Sequence, residues 1–389
     1  MKKLIFCLQT MVLGGVEKEL ITILKHFHGD YDITLLLLYP EDTEILKEIP
    51  AGVKVHVIGI DKEYYCVSTV ELIKQRLKRG HIFEAAGIAL KRCLKLGMSP
   101  SNTNIADIPA PEDVYDTAIC YHIHSPLMLK YVAESVKAHK KVAWVHNDFR
   151  VSGYPIQRLK KYVIAYDEFV AVSKKVGDEF RACCPWYQGG ISTAYNYLDA
   201  KEITTLSMAE IEDSAFLCEK NVRILTVGRF SEQKGIDLAI AVCAMLKKKN
   251  LAFHWFLIGY GELESDYRKK IEAYDVTDCI TILGRKANPY PYIKNCDISV
   301  QPSRHEAYPL VIMEAKILRK PIVCTNFDGA DEQISNGRNG IIVPLNDTHA
   351  LTEALTKLIC STEARAALSQ ELEKWSPEDE LKEIEKHFE

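Results

Sequence analysis

The chain has 389 residues, 47% of them hydrophobic and 26% charged, and a formal net charge of −4. That length exceeds one typical core and predicts two domains; the composition is that of a globular protein, and the slight acidity argues against a general nucleic-acid partner. Twelve cysteines are scattered from Cys7 to Cys360 with no C-x-x-C pair, which predicts free thiols in a reducing, cytoplasmic setting and neither a disulfide framework nor a metal site.

The first apolar run follows a basic start but stops at Gln9-Thr10. It is too short for the core of a signal peptide and is expected as the first strand, 3–9. No apolar run approaches the length that spans a bilayer. Further strands are expected at 32–39, 53–58, 117–121, 141–145 and 168–172, with helices at about 16–27, 70–78, 82–96, 126–137, 155–163 and 174–182. Asp30-Tyr31-Asp32 has the D-x-D pattern that can hold a metal, but Asp is common in turns before strands, and it is read as a turn. No cluster of His, Cys and carboxylates has metal-ligand spacing.

Residues 71–97 stand apart electrostatically. Lys74, Arg76, Lys78, Arg79, Lys91, Arg92 and Lys95 against Glu71 and Glu84 give a local charge of +5 in a chain whose total is −4. Leucines, isoleucines and Phe83 are interleaved with these charges, a pattern that suits an anionic bilayer surface and equally suits a solvated helix face over a core.

A polar stretch between Asn196 and Lys220 marks the expected domain boundary. Beyond it the alternation resumes, with strands at 222–227, 253–258, 279–283, 297–301, 321–324 and 341–343. Helices are expected at about 236–248, 263–274, 289–294, 310–318 and 349–359. Alternation of this kind predicts parallel sheets covered by helices, hence two Rossmann-like α/β domains. They are expected at 1–196 and 197–375, followed by a charged helical segment, 376–389.

Two stretches of the second half carry chemistry. Residues 222–237 read VRILTVGRFSEQKGID, a buried strand followed by a loop bearing Arg229 and Lys234. Open α/β sheets bind ligands at the C-terminal ends of their strands, and a guanidinium fork with an ammonium suits a diphosphate. Either residue alone is also an ordinary solvated charge. Residues 302–315 read PSRHEAYPLVIMEA, with Glu306 in a loop after a strand and Glu314 eight positions on. A helix is expected to begin near Pro309, so that its unpaired first-turn N–H groups lie between the carboxylates. Two glutamates so spaced also occur by chance. In the first half, Gly14-Gly15 between the first strand and first helix can bring backbone close to a ligand or form a plain turn. His146, at the exit of the fifth strand, is either a contact or a structural histidine.

Together these stretches resemble the retaining glycosyltransferases of family 4, which have the GT-B fold. The matching segments are LGGVEKEL at 13–20, VGRFSEQKGID at 227–237, Gly-Tyr-Gly-Glu at 259–262, LGR at 283–285, HEAYPLVIMEA at 305–315 and PIVCTNFDGADEQISNGRNGIIVP at 321–344. The resemblance covers nearly the whole chain and is densest from about 221 to 360. It implies two Rossmann-like domains facing each other across a cleft, with the last helix crossing back to the first domain. It also implies transfer of a sugar from a nucleotide-diphospho sugar, UDP favoured, to an acceptor hydroxyl with retention, and with no metal cofactor.

By the same resemblance, Arg229, Lys234 and the backbone of Gly14 and Gly15 hold the diphosphate. Glu306 holds hydroxyls of the donor sugar and His146 contacts it. Ala307, Tyr308, Pro309 and Leu310 line the donor, Glu314 holds the ribose, and the backbone of Gly284 and Arg285 reads the base. The implied partners are a nucleotide sugar and a glycan or lipid-linked acceptor, with an anionic membrane surface reached through 71–97 and no nucleic acid. Ala307-Tyr308 replaces the family's usual Gly-Phe, which predicts an altered loop at the sugar pocket, because alanine takes positive φ less readily than glycine. A nucleotide-sugar epimerase and a non-catalytic nucleotide-sugar binder are the alternatives.

Overall fold

The computed structural model of the protein describes residues 1–12, 14–40, 43–60, 105, 108–123, 125–146 and 156–389, together with Lys74, Leu77, Ile82 and Ala86. Most of the basic segment 71–97, and with it the helices expected at 70–78 and 82–96, lies outside the described residues. Contacts divide the chain into two units. The first is Met1–Val172, Val176–Ala194 and Ile384–Glu389; the second is Ser173–Lys175 and Tyr195–Glu383.

The first unit is built on seven strands: β1 (Lys3–Leu8), β2 (Asp32–Leu37), β3 (Lys54–Val57), β4 (Val114–Cys120), β5 (Lys137–Val145), β6 (Glu168–Ala171) and β7 (Gly190–Thr193). Their order is β3-β2-β1-β4-β5-β6-β7, and every pairing is parallel. Leu4 to Leu8 and Ile33 to Leu37 are buried without interruption, as strands covered on both faces require. Helices α1 (Gly15–Phe27), α2 (Pro126–Ser135) and α3 (Lys174–Cys183) follow β1, β4 and β6. Ser125 caps α2 by accepting from the Met128 N–H at 3.3 Å, with Pro126 at the first helical position.

Three departures from the sequence reading have local causes. Strands β4 and β5 start at 114 and 137 rather than 117 and 141, because Val114 and Tyr115 pair with Lys137 and Ala138. Backbone pairing there needs no apolar side chains, so hydropathy does not reveal it. Strand β7, Gly-Ile-Ser-Thr, carries one large apolar residue and pairs on one side only, with β6. The expected helix at 155–163 is a 3-10 turn, Ile156–Leu159, followed by a short helix, Lys160–Val163.

Residues 384–389 complete the first unit's core. Phe388 is fully buried, its ring meeting those of Phe6, Phe27 and Tyr31 edge-on at 5.6, 5.3 and 5.8 Å, a favoured aromatic geometry. The Thr117 hydroxyl donates to the Phe388 carbonyl at 3.1 Å. His387 Nδ1 lies 2.9 Å from Glu168. Burial works to raise the Glu168 carboxyl, but hydrogen bonds from His387 and Ser192 and the charges of His387 and Lys140 hold it down at about 2.

The second unit has six parallel strands: β8 (Val222–Val227), β9 (Phe253–Ile258), β10 (Ile280–Gly284), β11 (Ile298–Gln301), β12 (Ile322–Thr325) and β13 (Ile341–Val343). Their order is β10-β9-β8-β11-β12-β13. Its longer helices are α4 (Ala200–Leu206), α5 (Ile236–Lys248), α6 (Glu264–Ala273), α7 (Leu310–Ile317), α8 (Thr348–Cys360) and α9 (Thr362–Leu372), with α10 (Glu378–Lys386) belonging to it as far as Glu383. The core packs Ile224, Ile236, Ile240, Trp255, Leu351 and Leu355, and the buried Trp255 indole donates to the Thr226 hydroxyl at 3.0 Å. Helix α4 occupies the stretch read as a polar boundary; Asp199 caps it through the N–H groups of Lys201 and Glu202.

Both units are thus Rossmann-like α/β sheets, and in each the strand order reverses once, between β1 and β4 and between β8 and β11. Such reversals leave a crevice at the strands' C-terminal ends where ligands bind. The aromatic socket yields a stability test. Phe388→Ala empties a closed site, which costs about 3–5 kcal/mol. Calorimetry is expected to show the first unit melting at clearly lower temperature in this variant, and an unchanged profile would refute the socket's role.

Candidate functional site

The reversal of the second sheet brings together two loops that lie far apart in sequence. The loop after β8 carries Gly228 to Gly235, and the loop after β11 carries Pro302 to Pro309. They touch backbone to backbone. Gly235 has φ +63, and a Cβ built there would stand 2.0 Å from the Pro302 carbonyl oxygen, so both conformation and space demand glycine. Gly259, after β9, is held in the same way, its would-be Cβ 1.8 Å from the Gly228 oxygen.

This approach joins two residues 72 positions apart. Lys234 Nζ lies 2.6 Å from Glu306 Oε1, the side chains being 23% and 8% exposed. The sequence placed both at the site but did not pair them. Glu306 Oε1 also accepts from Ser303 Oγ at 2.6 Å and Gln301 Nε2 at 3.0 Å. Beneath them Arg304, unremarked in the sequence, grips Asp237 with both fork nitrogens at 2.9 and 2.7 Å and donates to the Glu232 carbonyl. Burial opposes ionisation of Asp237, yet the Arg304 hydrogen bonds and charge hold its carboxyl below the usual range. No pattern in the sequence links Arg304 to Asp237; their meeting is a product of topology. The Arg229 side chain, by contrast, is exposed and makes no ion pair with a described residue.

The stretch after Glu306 departs from expectation in two ways. Ala307 is not among the residues with positive φ, so the alanine in place of glycine brings no strain to this loop. Pro309 is not the first helical residue: its ψ of 125° is extended, it occupies the cap position, and α7 begins at Leu310. The N–H groups of Leu310 and Val311 have no acceptor among the described residues, while that of Ile312 turns back to the Pro309 carbonyl at 3.2 Å. Tyr308 is buried, stacked on Tyr195 at 4.9 Å, and its carbonyl accepts from Asn196 Nδ2 at 2.9 Å. Its side chain therefore serves packing. Glu314, about one turn into α7, is 4% exposed. At the other side of the sheet Gly284 has φ +73 and its carbonyl accepts from the Gly259 N–H. The Arg285 guanidinium lies 5.1 Å from the centre of the half-exposed Tyr260 ring.

Gly14, Gly15 and His146 belong to the first unit. Gly14 caps α1 with extended backbone, and its carbonyl accepts from Lys18 at 3.2 Å. His146 is buried at the end of β5, beside Tyr121 at 4.9 Å and His122 at 5.8 Å. Burial, with a smaller push from His122, drives its pKa well below the ordinary value against a hydrogen bond to the Tyr121 backbone. The ring is neutral at pH 7. Its Nε2 is buried without a hydrogen-bond partner among the described residues. Asp32 of the D-x-D pattern pairs with Lys54 on β3 at 2.7 Å, and no group of three or more potential metal ligands occurs among the described residues. Nor is any described helix long and apolar enough to cross a membrane.

Comparison with known proteins adds to this geometry. The model of the family "Glycosyl transferases group 1" matches residues 208–375. The amylovoran biosynthesis glycosyltransferase AmsK of Erwinia amylovora is 33% identical over 145 residues, which are 35% of this chain and 36% of that protein. The alpha-D-kanosaminyltransferase of Streptomyces kanamyceticus is 28% identical over 43% of this chain and 44% of its own length. The alignments thus span well under half of these curated relatives. In fold the likeness runs end to end: HepE of Anabaena, solved in complex with UDP-glucose, superposes with a TM-score of 0.70 at 17% identity, covering 99% of each chain. The chain therefore has the GT-B fold, and its residues 208–375 match the model of the group 1 glycosyl transferases.

Proposed function

We propose that the protein is a retaining, metal-independent glycosyltransferase that moves a sugar from a UDP-sugar to an acceptor hydroxyl. The observation that carries this reading is the Lys234–Glu306 pair at the reversal of the second sheet, with Arg229 exposed on the same loop. The relatives' names and the UDP-glucose complex of HepE support it.

The hard step is departure of a nucleoside diphosphate, whose charge grows as the bond from the anomeric carbon to the phosphate oxygen breaks. Arg229, Lys234 and the N–H groups of Leu310 and Val311 are the donors we assign to that charge. Glu306 accepts from hydroxyls of the donor sugar, Glu314 from the ribose, and the backbone of Gly284 and Arg285 takes the base. In the first unit we assign the neutral His146 to a sugar hydroxyl and the Gly14-Gly15 turn to phosphate. The acceptor oxygen bonds to the anomeric carbon on the face the diphosphate leaves, and its proton passes to the departing phosphate oxygen. Retention follows with no covalent intermediate. The acceptor we propose is a glycan on a lipid carrier in polysaccharide synthesis, on the strength of the +5 segment 71–97.

Removal of either cation tests the clamp. Arg229→Ala and Lys234→Ala should each lower turnover by roughly 10²–10³, the scale for one lost preorganised donor, and activity should withstand EDTA. Near wild-type transfer in both variants, or inactivation by EDTA with recovery on manganese, would refute it.

The glutamates are expected to separate in binding experiments. Glu314→Gln should weaken free UDP by about ten- to a hundredfold, the loss of one charge-assisted hydrogen bond. Glu306→Gln should leave UDP affinity intact and damage transfer. Equal loss of UDP affinity in both would show the assignment wrong.

The lipid-linked acceptor has its own test. Each Lys or Arg near an anionic surface contributes about 1 kcal/mol, and screening removes that attraction beyond about 10 Å at 0.1 M salt. The protein should sediment with anionic but not neutral vesicles at low salt, and replacement of Lys74, Arg76, Lys78 and Arg79 by Gln should release it. A wild-type protein that ignores anionic vesicles would point instead to a soluble acceptor.

A further inference from the structure

One oxygen of Glu306 is saturated. Oε1 accepts from Lys234 Nζ at 2.6 Å, Ser303 Oγ at 2.6 Å and Gln301 Nε2 at 3.0 Å. Gln301 Nε2 also lies 2.8 Å from Ser303 Oγ. The directions of these bonds follow from chemistry. An ammonium and an amide nitrogen only donate; Ser303 accepts from the amide, so its own hydrogen is free to point to the carboxylate. The reversed amide would set the Gln301 carbonyl against a carboxylate oxygen with no hydrogen between them, which fixes its orientation. Ser303 and Gln301 are 0% and 2% exposed, and the Thr325 hydroxyl on β12 donates to the Ser303 carbonyl. Glu306 Oε2 accepts from none of the described residues.

We propose that Gln301 and Ser303 are positioning residues for the sugar transfer: they hold Glu306 Oε1 so that Oε2 alone is presented to the donor sugar. This rests on the reading of Glu306 as the acceptor of sugar hydroxyls. Lys234 cannot do this work alone. Its ammonium rides on a flexible four-carbon stem, and the donor's diphosphate draws on the same charge. The two buried neutral donors have no such competing demand, so the carboxylate keeps its angle when Lys234 turns to phosphate.

A double-mutant cycle on the full chain tests the proposal. Ser303→Ala and Gln301→Met are made in the wild-type and in the Glu306→Gln background, and transfer or hydrolysis of UDP-sugars is measured with UDP affinity. Each single variant should lose about tenfold or more in kcat, one charge-assisted bond's worth, with UDP affinity unchanged. In the Glu306→Gln background the further loss should vanish, because coupled residues are not additive, and Ser303→Thr, which keeps the hydroxyl, should retain most of the activity. An equal loss in both backgrounds, or a parallel fall in UDP affinity, assigns the residues a merely structural role and overturns the proposal. Should Ser303→Ala fail to fold, Gln301→Met, which preserves volume, gives the same readings. An active wild type with indifferent variants refutes the positioning alone. A wild type that binds UDP yet neither transfers nor hydrolyses any UDP-sugar refutes the function and the positioning with it.

Discussion

The second unit's site depends on one steric constraint, the contact of Gly235 with the Pro302 carbonyl. Any side chain at 235 meets backbone that cannot yield, and φ +63 adds a conformational penalty. With glycine there, the loops after β8 and β11 lie against each other, and Lys234 reaches Glu306 across the sheet's reversal. The pair in turn gathers Gln301 and Ser303, while Arg304 and Asp237 clamp the same two loops from below. Backbone approach, ion pair and hydrogen-bond network are successive consequences of one missing methyl group.

The first unit is organised differently. Its strands β1 and β2 are buried from Leu4 to Leu8 and from Ile33 to Leu37, and its socket is filled from the far end of the sequence, by Phe388 between Phe6, Phe27 and Tyr31. Alongside, His387 and Lys140 keep the half-buried Glu168 ionised. Removing one partner of such a cluster leaves a charge without compensation, so the polar shell reinforces the register that the aromatic contact establishes.

The sheets were largely legible because parallel strands buried on both faces must be continuous apolar runs; β8 and β9 fall on the expected residues. What escaped was structure that hydropathy does not encode. The polar first half of β5 and the edge strand β7 exist through backbone pairing alone, and α4 shows itself mainly in its Asp199 cap. At the site, Arg229, Lys234 and Glu306 could be named from their loops, since charged groups at strand exits are visible in sequence. Their partners could not. Gln301 reads as the end of a strand and Ser303 as a loop residue, and nothing local shows that both turn toward one carboxylate oxygen. The alanine at 307 misled for a related reason: the substitution was visible, but the φ that decides whether it matters was not.

The internal pairing of Lys234 also bears on which molecules suit the proposed site. A bare phosphate meets an ammonium already neutralised by Glu306, so it must part an ion pair while offering the carboxylate nothing in return. A simple sugar can give hydroxyl hydrogens to Glu306 but supplies no anion to Lys234. A molecule that carries hydroxyls and phosphate on one frame satisfies both ends of the pair at once. Under the proposed function, the salt bridge would thus act as a two-key lock, admitting the conjugate while discounting each of its fragments.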